Sequence, residues 1–432
     1  MSPMGSRGGL HLPWRCRRSA APKLFLLLTF LGCTERGEKL GVERSRAGDT
    51  VVVHSHRPEY RDTLEMLEIL RIGETDGPEG YTFSYIRSFA VGPDGDILIS
   101  DGDGIRRFRA DGIFLDWVAH AGEGPWEVDA VGAMDVSLHG VVAAQDVGNS
   151  RISIFYSADS VSHVRGPAGR PAFSDEDALR FHPDGTLWVK LHPAWPPPGG
   201  ITHPRAIYAR VDVAKNALLD TVYTPADAAT DCPTLTEHPY SQGGWQDTRE
   251  PWIPLTMWAW GPDGTFALGC PAAYEFTVVR TTGEVLKISR DWTPVQEVPE
   301  AIKFMEMGGD LKDLPATLPA YSQIIVPGDE RVWAWPTQPS RRVPARQLVV
   351  EVLGVTEEWV RPIAGAFDVF GSDGSWLGVV KPPTGVEYSG FITSNPVLIR
   401  GDTIWAVAKD ALDVNYLVRS EIVWPKRNET EE

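Results

Sequence analysis

Residues 88–99, SFAVGPDGDILI, set the architecture of this chain: two strand-like apolar runs flank a tight-turn sequence. The same pattern returns at 179–189 as LRFHPDGTLWV and at 258–268 as WAWGPDGTFAL. A tight hairpin places turn residues at positive φ, which Gly, Asp and Asn tolerate better than other residues. Each copy therefore predicts a β-hairpin.

Three weaker copies, at 134–142, 324–333 and 396–405, extend the repeat to six. One turn residue marks each copy: Gly95, Gly140, Gly185, Gly264, Asp329 and Asp402. Successive markers lie 45, 45, 79, 65 and 73 residues apart, so insertions lengthen the later steps. A period of about 40–50 residues with four strands in each repeat is typical of propeller blades. The sequence therefore predicts an all-β chain folded as a six-bladed β-propeller with four-stranded blades.

The last repeat lacks its fourth strand. It ends with the strand-like run 416–423, whereas 64–72 (LEMLEILRI) is a strand-like run left over near the other end of the chain. We expect these two runs to pair, so that an N-terminal strand closes the last blade and no long sheet edge is exposed. A β-sandwich is the alternative fold, but it does not explain a six-fold repeat.

The first 32 residues are predicted to be a lipoprotein signal peptide. Four basic residues between positions 15 and 23 precede the apolar run 24–31 (LFLLLTFL). A helix of eight residues is about 12 Å long, which is too short to cross a hydrocarbon core of about 30 Å. The run is therefore typical of a secretory signal and not of a membrane span.

The residues that end this segment resemble a bacterial lipobox. In that motif, here Phe30-Leu31-Gly32-Cys33, the cysteine is lipidated and becomes the mature N-terminus. The resemblance implies that Cys33 anchors the protein to a membrane. The alternative is an ordinary secretory signal in which Cys33 is incidental.

Composition and charge complete the domain prediction. Polar residues 33–60 are expected to form a tether, with 51–53 (VVV) as a candidate short strand, followed by the propeller at 61–424 and a polar tail at 425–432. Lys and Arg number 41 against 58 Asp and Glu, a formal charge of −17, which disfavours nucleic acid and anionic lipid as partners. We therefore expect an exported protein, lipid-anchored at a bacterial membrane, in the periplasm or at the cell surface.

Several short tracts resemble a known family. Residues 70–73 (LRIG), 76–79 (DGPE) and 90–108, together with 122–127 (GEGPWE), resemble the NHL-type six-bladed propellers of bacterial lipoproteins. The last tract is similar to the connector between blades in that family, with Trp126 in place of the usual Gly. The resemblance extends over nearly the whole mature chain and implies the same fold. It implies little about activity, because one fold hosts many functions.

A small set of polar residues forms the candidate ligand site. Four of them lie at corresponding loops of the first two repeats: Asp101, Asp103, Asp146 and Asn149. Their oxygens are of the kind that Ca²⁺ prefers, since this ion takes six to eight oxygen ligands. The alternative is that they satisfy the backbone of their own turns. His192 and Trp195, within an insertion, complete the candidate set.

The cysteines and histidines are candidates for disulfide and metal sites. Beyond Cys16 and Cys33, Cys232 and Cys270 form an even pair in an oxidising compartment, so either a disulfide or two unpaired thiols fits. Four histidines in one third of the chain each precede a proline: His182, His192, His203 and His238. No two of these four have a spacing that would place both on one strand face, and no metal site is predicted.

No catalytic residue is predicted, because the Gly-x-Ser-x-Gly, P-loop and His-Glu-x-x-His motifs are absent from the sequence. Long insertions at 191–205, 226–254, 290–320 and 335–365 fall on one face of the predicted ring, which favours a ligand cleft there. The leading hypothesis is a non-catalytic module that binds a protein or a small ligand. The alternatives are a metal-dependent hydrolase or lactonase-like enzyme with an acidic central channel, and a purely structural envelope component.

Overall fold

The computed structural model describes residues 41–157, 159–164, 179–191, 207–215, 217–223, 257–306, 317–344, 356–360, 365–383, 387–388, 397–410 and 414–425. The chain divides into compact units of residues 1–39 and 40–432, and all described residues belong to the second unit. The predicted signal peptide and Cys33 therefore lie outside the described residues, as do residues 426–432 of the predicted tail.

The described elements are thirty strands and one helix. In chain order they are β1 (Val42–Ala47), β2 (Thr50–Ser55), β3 (Leu64–Ile72), β4 (Ser88–Val91), β5 (Ile97–Asp101), β6 (Gly104–Phe108), β7 (Phe114–Ala121), β8 (Glu127–Val128), β9 (Val131–Val136), β10 (Val142–Asp146), β11 (Arg151–Ser157), β12 (Ser160–Val164), β13 (Leu179–Phe181), β14 (Leu187–Leu191), β15 (Ile207–Asp212), β16 (Ala217–Tyr223), β17 (Met257–Trp260), β18 (Phe266–Gly269), β19 (Glu275–Val279), β20 (Val285–Arg290), α1 (Pro299–Glu306), β21 (Tyr321–Ile325), β22 (Val332–Pro336), β23 (Arg341–Pro344), β24 (Glu357–Val360), β25 (Phe367–Phe370), β26 (Trp376–Lys381), β27 (Glu387–Tyr388), β28 (Val397–Arg400), β29 (Thr403–Lys409) and β30 (Asn415–Val423).

Neighbouring strands along the chain pair into successive sheets. β4–β8 form a five-stranded sheet, and β9–β12 and β13–β16 form two four-stranded sheets. β17–β20 belong to a fourth sheet that also contains β1 and β2, and a nine-stranded sheet contains β21, β22, β25, β26, β3, β30, β29, β28 and β27. β23 and β24 form a separate hairpin. The predicted all-β class is confirmed.

The hairpin turns have the backbone conformation that the repeat predicts. Gly95, the first marker, has a φ of 86°, and its N–H donates to Gly92 O at 3.1 Å. Glycine adopts this conformation without the steric cost that a Cβ would add. In the last two copies the glycine with positive φ lies one residue before the marker, at Gly328 (87°) and Gly401 (58°).

The N-terminal segment corrects one predicted boundary. Residues 42–55, predicted as part of a tether, form the hairpin β1–β2, and β2 pairs in parallel with β20, with Thr50 opposite Val285. Val53 is completely buried. The candidate strand at 51–53 is confirmed within β2, but the tether prediction is wrong for the rest of 42–55. The β-branched run at 51–53 fits a sheet surface and covers an edge that would otherwise expose unpaired backbone groups.

The leftover strand near the N-terminus pairs with the last strand, as expected. β3 lies antiparallel to β30, from Glu65 opposite Val423 to Ile72 opposite Leu417. The first residues of β3 alternate between buried and exposed, so a slip of one residue would turn the apolar set towards solvent. A short parallel contact between β3 and β26 joins this group of strands to β21–β26.

Two further elements lie within the insertions and the third repeat. In the third repeat, β15 and β16 form an antiparallel hairpin beside β14, and the sequence patterns do not predict it. The helix α1 (Pro299–Glu306) lies within the insertion at 290–320, with Ala301 completely buried. None of the helices among the described residues is long and apolar enough to span a membrane.

A buried ion pair joins the fourth sheet to the nine-stranded sheet. The guanidinium of Arg290, at the end of β20, donates from Nε (3.0 Å) and Nη2 (2.7 Å) to Oδ2 of Asp368 in β25. Tyr274 OH donates to the same oxygen. The Arg290 guanidinium also lies over the rings of Tyr274, at 3.8 Å, and Trp376, at 4.5 Å from the centroids. This group therefore holds two sheets together.

Arg290→Met should lower the free energy of unfolding by about 3–5 kcal/mol, because it leaves a buried carboxylate without its cation. The deficit should shrink as the pH falls, since burial already raises the pKa of Asp368 and protonation neutralises the isolated group. Urea unfolding at several pH values measures both effects. Arg107→Met, at the exposed pair with Asp116, is the matched control and should cost at most about 1 kcal/mol. Equal losses of unfolding free energy in the two variants would contradict a stabilising role for the Arg290–Asp368 ion pair.

Candidate functional site

One cavity is lined by six strands, each of which is an edge of its sheet. The strands are β4, β9, β13, β17, β21 and β28. Each belongs to one copy of the sequence repeat and begins its hairpin. The six copies therefore contribute equivalent strands to one space.

The cavity is narrow. Its volume is about 60 Å³. At about 10–15 Å³ for each water, it has room for roughly four to six waters. A carboxylate or a similar small group fits inside this space, and the bulk of a larger ligand would remain at the mouth.

The charged groups of the lining are one carboxylate and two guanidinium groups. They belong to Asp135 in β9, Arg180 in β13 and Arg400 in β28, a formal charge of +1. The other described residues that line the cavity are apolar, apart from Gln323 and Trp260. The alternative of an enzyme with an acidic central channel stays untested, but the described lining of this cavity is not acidic, although the whole chain is.

Asp135 connects two neighbouring sheets. Its Oδ2 accepts the backbone N–H of Phe181 in β13 at 2.7 Å. Burial raises the pKa of Asp135 above its usual range, and the positive charge of Arg180 is the largest opposing influence. The carboxylate lies where protein has replaced most of its water, so its ionised form depends on nearby cations for compensation.

Arg400 connects the last repeat to the first. Its Nη2 donates to the carbonyl of Val91 at 2.6 Å, and its Nη1 donates to the carbonyl of Gly92 at 3.1 Å. Burial lowers the pKa of Arg400, Asp135 opposes this change and Arg180 adds to it. A guanidinium remains charged at neutral pH despite such a shift. A fixed positive charge therefore lies between β28 and β4.

These cavity residues were not predicted, although the sequence contains a signal for them. Asp135 and Arg180 each lie five residues before a repeat marker, Gly140 and Gly185. When the repeats are aligned on their marker residues, both residues occupy the same position of the strand that lines the cavity, β9 in one repeat and β13 in the next. Charged residues at one repeating inner position, where strands are otherwise apolar, would have indicated a polar cavity.

The predicted ligand residues of the first repeat form an internal network. Asp101 is buried, and its Oδ2 accepts Arg106 Nη1 at 2.9 Å while its Oδ1 accepts the N–H of Asp103 at 3.0 Å. Asp103 accepts Arg106 Nη2 at 3.0 Å. The Arg106 guanidinium lies 4.7 Å from the centroid of the Trp117 ring. Burial raises the pKa of Asp101, which is consistent with a carboxylate held inside the sheet.

The second repeat uses its predicted residues in the same way. Asp146 is completely buried and accepts Arg151 Nε at 2.7 Å and the N–H of Asp129 at 2.7 Å. Asn149 Nδ2 donates to both oxygens of Asp146, at 3.0 and 2.9 Å, and to Gly122 O at 2.9 Å. These donors favour the turn-stabilising alternative over the Ca²⁺ site.

Several predicted residues lie outside the described residues. They are His192, Trp195 and Cys232, and most of the insertion-rich face lies outside as well. Cys270, which follows β18, is disulfide-bonded. Its pairing with Cys232 stays a prediction.

Comparisons with known proteins give a fold likeness and no family. No family model and no curated protein matches the chain. A DUF4221 family member from Bacteroides vulgatus is 13% identical with a TM-score of 0.47, covering 84% of this chain and 98% of that one. A streptogramin B lyase is 12% identical with a TM-score of 0.38, covering 81% and 82%. Virginiamycin B lyase from Staphylococcus aureus is 12% identical with a TM-score of 0.37, covering 89% and 94%.

These neighbours are propeller-like proteins. At such low identities and TM-scores, their activities carry no argument for this chain. The NHL resemblance and the lipoprotein assignment therefore stay expectations from the sequence.

Asp135→Asn should make the protein more stable than the wild type at pH 7. Burial raises the pKa of Asp135, so the wild type loses stability as the pH rises above the carboxyl's unfolded value, and an amide is free of that loss. The two proteins should be equally stable near pH 4, which urea unfolding across the range would reveal. Asp159→Asn, at an exposed turn of the same sheet, controls for surface charge. An Asp135→Asn variant that is less stable than the wild type at pH 7 would contradict the prediction.

Proposed function

We propose that residues 61–424 form a six-bladed β-propeller that binds the anionic group of a small ligand at the mouth of its central cavity. Two features support the ring. Six edge strands, one from each repeat, line the same cavity. The strand β3 supplies the pairing that the last repeat lacks, so the first and last parts of the chain meet in one sheet.

The observation that carries the ligand class is the pair of guanidinium groups, Arg180 and Arg400, in the cavity of an acidic protein. A guanidinium presents a planar fork of N–H donors that matches a carboxylate. The small volume admits such a group and little more. The ligand is therefore a small carboxylic acid, or the carboxylate end of a larger molecule.

Binding without chemistry fits this lining best. The described lining residues include arginine, aspartate and glutamine, but no serine, cysteine or histidine that could act as a nucleophile or general base. Asp135 is the one carboxylate among them, and it accepts a backbone N–H. The hydrolase alternative required an acidic channel to hold a metal, and the described lining has the opposite charge.

Anion binding can be tested with simple probes. Acetate, succinate and citrate should raise the melting temperature in a concentration-dependent way, and acetamide, the neutral analogue of acetate, should not. Arg180→Gln and Arg400→Gln should each weaken apparent affinity about 10- to 100-fold, because each removes charged hydrogen bonds to the ligand. Scanning fluorimetry measures both effects.

Arg107→Gln, which removes an exposed arginine paired with Asp116, is the matched control and should bind as the wild type does. Equal shifts with acetate and acetamide, or unchanged affinity in the two cavity variants, would rule out this ligand class.

We further propose that the propeller is exported and held at a bacterial membrane by lipid on Cys33. The apolar run 24–31 and the lipobox-like residues before Cys33 support this location. A negatively charged protein gains little from anionic lipid, so the acyl chains must supply the attachment.

Cys33→Ser should move the protein from the membrane fraction to the soluble fraction, because the serine cannot take the lipid. Fractionation, with mass spectrometry of the mature N-terminus, measures the change. Cys16→Ser, within the predicted signal, is the matched control and should leave the protein in the membrane fraction. Retention of the Cys33→Ser variant in membranes would contradict lipid anchoring through this residue.

A further inference from the structure

Two histidines and an aspartate converge where the N-terminal hairpin joins the fourth sheet. His54 lies in β2 and His56 directly after it, two residues apart, which is the spacing that places side chains on one side of a strand. Asp291 follows the end of β20. Its backbone N–H donates to Ser55 O at 2.9 Å, so the main chain fixes the three residues opposite one another.

The donor atoms of these side chains face each other. His54 Nε2 lies 2.9 Å from Asp291 Oδ1, and His56 Nδ1 lies 3.1 Å from Asp291 Oδ2. One ligand atom from each residue lies within 4.8 Å of the other two. The side chains are 32%, 44% and 59% exposed, so an ion can reach them from solvent.

Outer partners define which ring nitrogens point inward. Ser289 Oγ donates to Val53 O at 3.4 Å, so it accepts from His54 Nδ1 at 2.9 Å. His56 Nε2 lies 3.2 Å from Glu43 Oε1, which can only accept when ionised. When the rings are neutral, the nitrogens that face Asp291, His54 Nε2 and His56 Nδ1, each carry a lone pair directed at a carboxylate oxygen.

Such a group of acceptors needs a cation between its members. A proton on His56 is one solution, because its hydrogen bonds to Asp291 and Glu43 raise its pKa. A divalent metal ion is the other. Two imidazoles and one carboxylate are a common protein donor set for Zn²⁺, with water in the remaining position. Metal-bound histidines usually donate their second N–H to a carboxylate or another acceptor, as Glu43 and Ser289 allow here.

We propose that His54, His56 and Asp291 bind Zn²⁺ and thereby fasten the N-terminal hairpin to the fourth sheet. The ion joins β2 to the end of β20, residues that are 235 or more positions apart in the chain. His54 lies 21 residues after Cys33 in the sequence, so the metal strengthens the attachment of the segment that leads to the predicted lipid anchor. This inference does not depend on what the central cavity binds.

Calorimetric titration of the full chain with ZnCl₂, after treatment with EDTA and dialysis, tests the site. We expect one Zn²⁺ per chain. His54→Ala/His56→Ala and Asp291→Asn should each weaken binding at least 100-fold, because each removes ligands. His139→Ala, at an exposed turn, is the matched control and should bind as the wild type does.

Variants of the outer partners separate a metal site from a hydrogen-bonded cluster. Ser289→Ala and Glu43→Gln keep all three ligands and should weaken Zn²⁺ binding about 10- to 100-fold. Co²⁺ in place of Zn²⁺ should give a visible ligand-field absorption in the wild type that Asp291→Asn lacks. Zn²⁺ at a hundred times its dissociation constant should raise the melting temperature by about 3 °C.

Three outcomes would overturn the proposal. They are no saturable Zn²⁺ binding, wild-type affinity in Asp291→Asn, and unchanged affinity and stoichiometry in the double histidine variant. Far-UV circular dichroism checks that each variant is folded. If the double variant fails to fold, Asp291→Asn decides the question, because its amide can donate to a ring nitrogen and keep the hairpin in place without a metal.

Discussion

The pairing of sheet edges is the constraint on which the rest of this structure depends. An unpaired strand edge presents backbone N–H and C=O groups that must find a partner or water. β3 meets this need for β30, and β2 meets it for β20. Both partner strands come from the first quarter of the chain, so the N-terminal region completes two sheets that are built mainly from later residues. Among the described strands, β4, β9, β13, β17, β21 and β28 pair on one side only, and these edges line the cavity.

Buried carboxylates are the second organising feature, and three of them are paired with arginine. Asp101, Asp146 and Asp368 lie at the ends or centres of strands, and Arg106, Arg151 and Arg290 bind them. A buried carboxylate costs several kcal/mol of desolvation unless a cation and hydrogen bonds compensate it, so each pair fixes the position of its loop. Residues that the sequence presents as candidate ligands are therefore used to hold connectors and neighbouring sheets. Asp135 differs, because its cations also line the cavity.

Much of the fold could be predicted from the sequence because hairpin signals are local. Gly95 and its equivalents mark turns, and the 45-residue step located the strands and left 64–72 as the closing one. The parallel addition of β2 to β20 could not be predicted, since it depends on an edge formed more than 200 residues away. The His54–Asp291 contact has the same origin, although the His-x-His spacing at 54–56 was visible. Cavity polarity was missed because the inner strands were judged by their apolar residues alone.

The positive cavity and the acidic chain act over different distances. At physiological ionic strength the Debye length is about 8 Å, so the net charge of −17 acts on an approaching anion mainly close to the surface. At the cavity, Arg180 is partly buried and Arg400 is exposed, so solvent screens the charge of Arg400 more than that of Arg180. If the cavity binds an anion as proposed, the global charge slows the encounter, whereas the two guanidinium groups determine how tightly the anion is held. In that proposal, an acidic exterior with a basic cavity favours one small carboxylate over general attraction of polyanions.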